Sequence, residues 1–262
     1  MGIGIAAAVV GTIALLIGLL LGIAGKFLAV PVDETEVAVR ECLPGNNCGG
    51  CGFPGCDGLA KAIASGTAPA NQCPVASAEA KAKIAGIVGA SVTEEKKMVA
   101  FVHCFGTCDK TENKYHYYGL HDCRKLALIP GHGEKLCEYG CMGYGSCVKA
   151  CQFDAIHVVN GVAVVDKEKC TACGQCTKVC PNHLIELVPY EAEYLVGCSS
   201  KEKGKKVKDA CSAGCSGCTL CSRVCTQGAI EIIDNLPHID QEKCNHCGIC
   251  AEKCAQKSIV KH

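Results

Sequence analysis

The sequence predicts an α+β fold: one apolar helix, then a string of small units held together by something other than a large core. Three observations carry this. Residues 3–24, IGIAAAVVGTIALLIGLLLGIA, form a charge-free run of 22 residues, and about 20 apolar residues span a bilayer as a helix. The chain holds 26 cysteines in 262 residues, no tryptophan and 5 phenylalanines. Without its cysteines the apolar share falls from 49% to roughly 39%, low for one large core. Finally, the C-terminal half repeats itself. The expected boundaries are 1–26 for a membrane anchor, 33–90 for a small cysteine-rich domain with a helical linker, and 91–136 for a cysteine-containing insert. The two repeats then occupy 137–190 and 191–262.

The apolar run reads as a retained transmembrane anchor. A cleaved signal peptide would carry a basic start and a shorter apolar stretch, and no lysine or arginine precedes Lys26. A buried core helix is the other alternative, and the run is long for one. Basic residues favour the C-terminal flank, so the positive-inside rule puts the bulk of the chain in the cytoplasm. That compartment is reducing, and 26 cysteines are then not expected to form thirteen disulfides.

Shifting the sequence by 74 residues lays Cys137, Cys141, Cys147 and Cys151 on Cys211, Cys215, Cys221 and Cys225. It also lays Cys170, Cys173, Cys176 and Cys180 on Cys244, Cys247, Cys250 and Cys254. Ala155-Ile156 falls on Ala229-Ile230, and DKEKC (166–170) on DQEKC (240–244). Each repeat reads as a cysteine set, a strand, a turn, a strand and a second cysteine set. The strands are expected at 156–159 and 162–165 around Asn160-Gly161, a hairpin signal, and at 230–233 and 237–240. Short helices should follow each set.

The run CTACGQCTKVCP (170–181) has the spacing C-x2-C-x2-C-x3-C-P. Zinc ribbons use two C-x2-C pairs with longer gaps, so three cysteines followed by a fourth favour iron–sulfur over zinc. The spacing resembles the bacterial two-cluster ferredoxin, whose fourth cysteine serves the other cluster of the pair. The resemblance implies two tandem bacterial-type (2×4Fe-4S) ferredoxin-like domains. Cys170, Cys173 and Cys176 would then share a cluster with Cys151, and Cys180 would join Cys137, Cys141 and Cys147. In the second repeat Cys244, Cys247 and Cys250 would join Cys225, while Cys215, Cys218 and Cys221 join Cys254. The first repeat departs from the pattern, with Tyr144 where the second has Cys218, and Cys137 is expected to replace the missing ligand. Only Pro181 keeps the family's proline; Gln152, Thr226 and Ala255 stand in the other three places. Cys211 is then spare, or exchanges roles with Cys215 or Cys218.

ECLPGNNCGGCGFPGC (41–56) carries a different motif, C-x2-C-x4-C from Cys48, Cys51 and Cys56, with Cys73 following. It looks like a small 4Fe-4S domain of electron-transfer subunits, with a helix over 57–65. Cys42 lies outside its four. Residues 75–95, rich in alanine, lysine and glutamate, read as a solvated helical connection. Five clusters are thus expected. A sixth is left open among Cys104, Cys108, Cys123, Cys198 and Cys211, against a reading of these as buried or unpaired thiols. SSKEKGKKVKD (199–209) holds five lysines, either a solvated turn or a docking site for an acidic redox partner.

Equal numbers of basic and acidic residues, 26 each, give no basic excess for nucleic acid. No G-x-G-x-x-G opens a βαβ unit and no P-loop is present, so no nicotinamide or flavin site is expected here. No nucleophile–base arrangement is evident, and no catalytic residue is assigned. The order of modules resembles the RnfB-type electron-transport subunits of the Rnf complexes, in their long clostridial-type form. That resemblance implies an iron–sulfur relay within a membrane-bound, ion-translocating ferredoxin:NAD+ oxidoreductase. It implies soluble ferredoxin as donor and other Rnf subunits as partners, including membrane subunits and a peripheral NAD and flavin subunit. The alternatives are a ferredoxin-like subunit of another membrane reductase, such as one reducing a redox-sensing regulator, and a zinc-stabilised membrane adaptor.

Overall fold

The structure, a computed structural model, describes residues 2–27, 33–91 and 96–262. Met1 of the anchor, and 92–95 of the expected linker and insert, lie outside the described residues. Helix α1 (Gly2–Phe27) contains the apolar run and ends beside Lys26. At 26 residues it is about 39 Å long. Among the described residues it is the one helix long and apolar enough to cross a membrane, and Leu15 and Leu20 are 72% and 69% exposed. Such a surface suits lipid, because a helix satisfies its own backbone hydrogen bonds, and the hydroxyl of Thr12 donates to the Val9 carbonyl at 2.9 Å.

Three helices build the next unit: α2 (Glu34–Cys42), α3 (Cys56–Ala64) and α4 (Ala78–Val88). Asp33 caps α2 by accepting from the Thr35 N–H at 2.9 Å, and Ser77 caps α4 by accepting from that of Ala80 at 3.2 Å. Their buried faces meet through Val39, Leu59, Ile63 and Ile84. The segment expected to be a solvated connection therefore contributes to a core. Ile84 and Ala85 are buried, whereas Lys83 is exposed on the other side of α4 and Lys81, half-buried, lies at the edge of the buried face.

From residue 96 on, the chain forms two similar units. The first contains β1 (Met98–Val102), α5 (Cys123–Leu126), α6 (Ser146–Ala150), β2 (Ile156–Val159), β3 (Val162–Val165), α7 (Gln175–Val179) and β4 (Ile185–Pro189). The second contains β5 (Tyr194–Val196), α8 (Lys205–Ala210), α9 (Leu220–Val224), β6 (Ile230–Ile233), β7 (Leu236–Ile239), α10 (Ile249–Glu252) and β8 (Ile259–Lys261). Each unit has an inner antiparallel hairpin, β2–β3 or β6–β7, and an outer antiparallel pair, β1–β4 or β5–β8. Both hairpins turn through two left-handed residues, Asn160-Gly161 and Asp234-Asn235, the type I′ geometry that matches strand twist.

The matched DKEKC and DQEKC segments fold alike. Asp166 and Asp240 donate their N–H groups to the carbonyls of Ala155 and Ala229 at 2.8 Å in each unit, and their own carbonyls accept from Cys170 and Cys244 at 3.1 and 3.0 Å.

The first unit begins at β1, not at residue 137. Val102 opposes Ile185 in the first unit as Val196 opposes Ile259 in the second. The expected insert thus contains the first strand of the domain it was set apart from. Both faces of β1 are buried, as alternation along a strand allows. Ala100 and Val102 face the core of their own unit, while Val99 and Phe101 pack with Leu195 and Val260 of the second.

Ile84→Ala is expected to destabilise the N-terminal unit by about 2–5 kcal/mol, read as a lower melting temperature by circular dichroism. Ala82→Ser on the exposed face of α4 should leave it unchanged.

Candidate metal centres

All 26 cysteines are free thiols, and 23 of them gather in six sets, with Cys48 on the loop that leads into the first. Cys51, Cys56 and Cys73 belong to the N-terminal unit, where burial, then the neighbouring Cys51 and Cys56, push the Cys73 thiol up. Cys48 sits on the same loop. Its carbonyl accepts from the Gln175 amide, and its thiol lies beside that of Cys173. This contact joins the N-terminal unit to the first repeat. A Cβ on Gly50 would stand 2.6 Å from the Cys173 carbonyl oxygen, so only glycine permits the approach.

Cys151, Cys170, Cys173 and Cys176 line one pocket. Burial first, then Cys170, Cys173 and Cys151, push the Cys176 thiol up to about 12. Cys215, Cys218, Cys221 and Cys254 line another, where burial and then the other three push Cys221 up to about 11. Burial raises Cys250 too, and Cys244, Cys247 and Cys225 add to it. These three sets bring together the residues that the ferredoxin resemblance grouped.

The fourth pocket differs from the expectation. Cys141, Cys147 and Cys180 are joined by Cys123, not by Cys137. Burial, then Cys141, Cys123 and Cys180, push Cys147 up to about 12. The position of Cys123 is built. Asp122 caps the short α5 by accepting from the Arg124 N–H at 2.9 Å. Ser146 Oγ donates to Asp122 at 3.1 Å and accepts from the Cys123 N–H at 2.9 Å, fixing it beside Cys147. Tyr144, the counterpart of Cys218, instead packs against Cys123, Leu126 and Met142.

Cys137 is thereby released to a set that spacing did not suggest. It lines a pocket with Cys104, Cys198 and Cys211. Burial, then those three thiols, push Cys137 up to about 11. Two chain segments from each unit converge here. Cys104 follows β1 as Cys198 follows β5, and Cys137 matches Cys211 in the repeat. The pocket is therefore pseudo-twofold, and it lies between the units. Of the cysteines left open for a sixth centre, Cys123 belongs elsewhere and Cys108 is exposed outside all six sets. Cys42 packs at the edge of the N-terminal core.

The six sets touch in a row. The Cys141 N–H donates to Cys104 Sγ at 3.2 Å, linking the first unit to the pocket between units, and the Cys215 N–H bonds to the Cys198 thiol beyond it. Within each unit, α6 packs on α7 and α9 on α10, bringing the two sets of the unit together.

The surroundings fit an iron–sulfur group. The donors are soft sulfurs with no histidine or carboxylate among them, the preference of such clusters. The sulfurs stand around pockets: among the described residues, no three His, Cys, Asp or Glu side chains converge tightly enough for a single metal ion. Backbone N–H groups aim at the thiols, from Ala100 to Cys170 at 3.3 Å, Ala163 to Cys141 at 3.4 Å and Leu184 to Cys180 at 3.4 Å. Thr171 Oγ1 and His246 Nδ1, next to ligand-set cysteines, are buried without hydrogen-bond partners. Lys135 is 8% exposed and donates to the carbonyls of Gly106 and Gly161 at 3.0 and 2.7 Å. Burial raises the thiols of Cys104 and Cys141, and the Lys135 charge opposes that rise. A buried cation of this kind calls for an anion nearby.

A membrane-helix chain with rows of cysteine-lined pockets is an iron–sulfur electron carrier. The family described as "Putative Fe-S cluster" matches residues 43–75, and the "4Fe-4S binding domain" family matches 163–186. The chain is 43% identical to the B subunit of the Na(+)-translocating ferredoxin:NAD(+) oxidoreductase complex of Acetobacterium woodii, over 96% of this chain and 75% of that one. It is 42% identical to the B subunit of the ion-translocating oxidoreductase complex of Methanosarcina acetivorans, over 96% of each. It is 38% identical to the B subunit of the proton-translocating ferredoxin:NAD(+) oxidoreductase complex of Clostridium ljungdahlii, over 95% of this chain and 89% of that one. The chain belongs to this family, the B subunits of the ion-translocating oxidoreductase (Rnf) complexes, and carries 4Fe-4S clusters.

Proposed function

We propose that the chain accepts electrons from reduced ferredoxin and passes them to the membrane subunits of an ion-translocating ferredoxin:NAD+ oxidoreductase. The row of six cysteine sets, ending at the unit that follows the membrane helix, is the observation that carries this reading. Each set would hold one 4Fe-4S cluster, which supplies one-electron transfer when bound. The ligands are Cys48, Cys51, Cys56 and Cys73; Cys151, Cys170, Cys173 and Cys176; Cys123, Cys141, Cys147 and Cys180; Cys104, Cys137, Cys198 and Cys211; Cys215, Cys218, Cys221 and Cys254; and Cys225, Cys244, Cys247 and Cys250.

The protein's own contribution is positional. The Gly50 approach holds the Cys48 loop against the Cys170 set. The hydrogen bonds from Ala100, Ala163 and Leu184 stabilise thiolate character at their acceptors and tune the bound group. Lys135 offsets negative charge where the two units meet. The anchor puts the Cys48 set near the membrane surface, with the cluster domains in the cytoplasm and other Rnf subunits as neighbours. The peripheral subunit of such a complex would supply the flavin and NAD site that this chain's motifs lack.

Cys48→Ser in the intact complex should leave ferredoxin able to bleach the visible absorbance of the C-terminal units while NAD+ reduction is lost. Full NAD+ reduction by this variant would refute the relay order. Six filled sets predict about 24 iron and about 24 acid-labile sulfide per anaerobically purified chain, at four of each per cluster; about 20 would eliminate the sixth. Cys123→Ala should remove about four of those irons, and Tyr144→Cys added to it should restore them. Unchanged iron in Cys123→Ala would return Cys137 to that set.

A further inference from the structure

The thiols of the six sets are not equally covered. Only Cys218 and Cys247 among them are exposed. Around Cys218 the chain concentrates positive charge. Lys203, Lys205 and Lys208 line a shallow depression with Gly217 and Cys218, and all three lysines are exposed. The buried Val207 seats α8 and turns its lysines outward.

The charges in this segment differ in their pairing. Lys201 binds Asp234 at 2.9 Å and Lys206 binds Glu202 at 3.3 Å. Among the described residues, no carboxylate lies within ion-pair distance of Lys203, Lys205 or Lys208. Asp209 is the one acidic residue lining the depression. A solvated turn in a chain with 26 basic and 26 acidic residues has acids available to balance its lysines. Here three go unbalanced beside a cluster-set thiol that reaches solvent. Cys247 has a more mixed setting: nearby Lys243 is paired with Asp240 at 3.1 Å, and Glu242 and Glu252 lie close in sequence.

We propose that the lysine-lined depression at Cys218 is the docking surface for a small acidic electron-carrier protein, and that electrons reach the relay through the Cys215–Cys254 set. This rests on the reading of the chain as a relay fed by ferredoxin, and adds where the donor binds. An acidic patch on the carrier complements the unpaired lysines, which speed encounter by steering. The exposed Cys218 brings the carrier's redox centre near the set without any cover having to open. The carrier is oxidised by one electron and the Cys215–Cys254 centre is reduced by one; no bond forms or breaks.

The test uses the intact complex with Lys203→Glu, Lys205→Glu and Lys208→Glu combined. Reduction is followed by visible bleaching, with a reduced acidic bacterial ferredoxin as donor and with photoreduced deazaflavin as a small donor that needs no protein docking. At low salt the ferredoxin rate should fall at least about tenfold and lose most of its salt dependence, while the deazaflavin rate stays as in wild type. An unchanged ferredoxin rate and salt dependence would overturn the docking surface. So would a loss produced by Lys253→Glu with Lys257→Glu but not by the triple variant, which would move docking to the Cys247 side. A wild-type complex that deazaflavin reduces and ferredoxin does not would overturn the relay reading, and the docking surface with it.

Discussion

Everything after residue 96 depends on how two strand ends are held against each other. Beyond β1, the Phe105 N–H donates to the Gly197 carbonyl at 3.0 Å, and Ser199 Oγ donates to the His103 carbonyl at 2.9 Å. The His103 ring bonds the Val196 carbonyl at 2.8 Å. These bonds lay the exit of β1 along the exit of β5. Gly197 is required there, because a Cβ would sit 1.8 Å from the Phe105 ring. Cys104 and Cys198 arrive together as a consequence, and their repeat-related partners Cys137 and Cys211 complete the pocket. That junction, with the packing of Val99 and Phe101 on Leu195, joins the two units around the middle pocket.

The same junction explains why the fold cannot be understood from apolar burial alone. The cores are small; the one shared by β5, β6 and β8 contains Val196, Ile230 and Ile259 beside Cys250. Units of this size commonly need a metal or disulfides to be stable. The buried thiols make the requirement sharper. Burial raises nearly every set, so four thiolates crowded together are unfavourable until a cation-rich group takes up their charge. Binding then releases protons and supplies folding energy in one step. Cys254 is already tilted towards this: burial pushes its thiol up, but hydrogen bonds from Ser258, Ile259 and Gln256 together outweigh burial and leave it lowered.

Much of this was legible in the sequence, and the misses have physical causes. Spacing gave the three cysteines on each tight loop of the 170, 244 and 215 sets, and the resemblance to two-cluster ferredoxins supplied the crossing residue of each. Cys137 was expected in the Cys141 set because Tyr144 stands where the second repeat has Cys218, whereas Cys123 fills that place in the pocket. The 74-residue shift matched it to Cys211, which was left spare or exchanging roles with Cys215 or Cys218, and the structure puts both in the middle pocket. Cys123 carried no spacing signal, since α5 reaches the set only through Ser146 and Asp122. Strand β1 escaped the repeat search for a related reason. Cys104 stands 37 residues before Cys141, while Cys198 stands 17 before Cys215, so no single shift aligns both strands and cysteines. Helix α4 looked solvated because its lysines are visible in composition and its buried Ile84 is not.

The extra length between Cys104 and Cys141 does more than displace a ligand. In the second unit Cys218 reaches solvent. In the first unit Leu126 and the buried Cys123 of the added segment pack against Met142 and Tyr144, the latter at the position equivalent to Cys218. Two units with the same strand pairing thus differ in insulation. The unit beside the Cys48 loop is covered, and the unit at the other end of the row leaves two thiols at its surface. Coverage of this kind leaves the exposed set thiols to the second unit alone among the described residues. The difference in coverage between the two units therefore arises from the insert, which the second unit lacks.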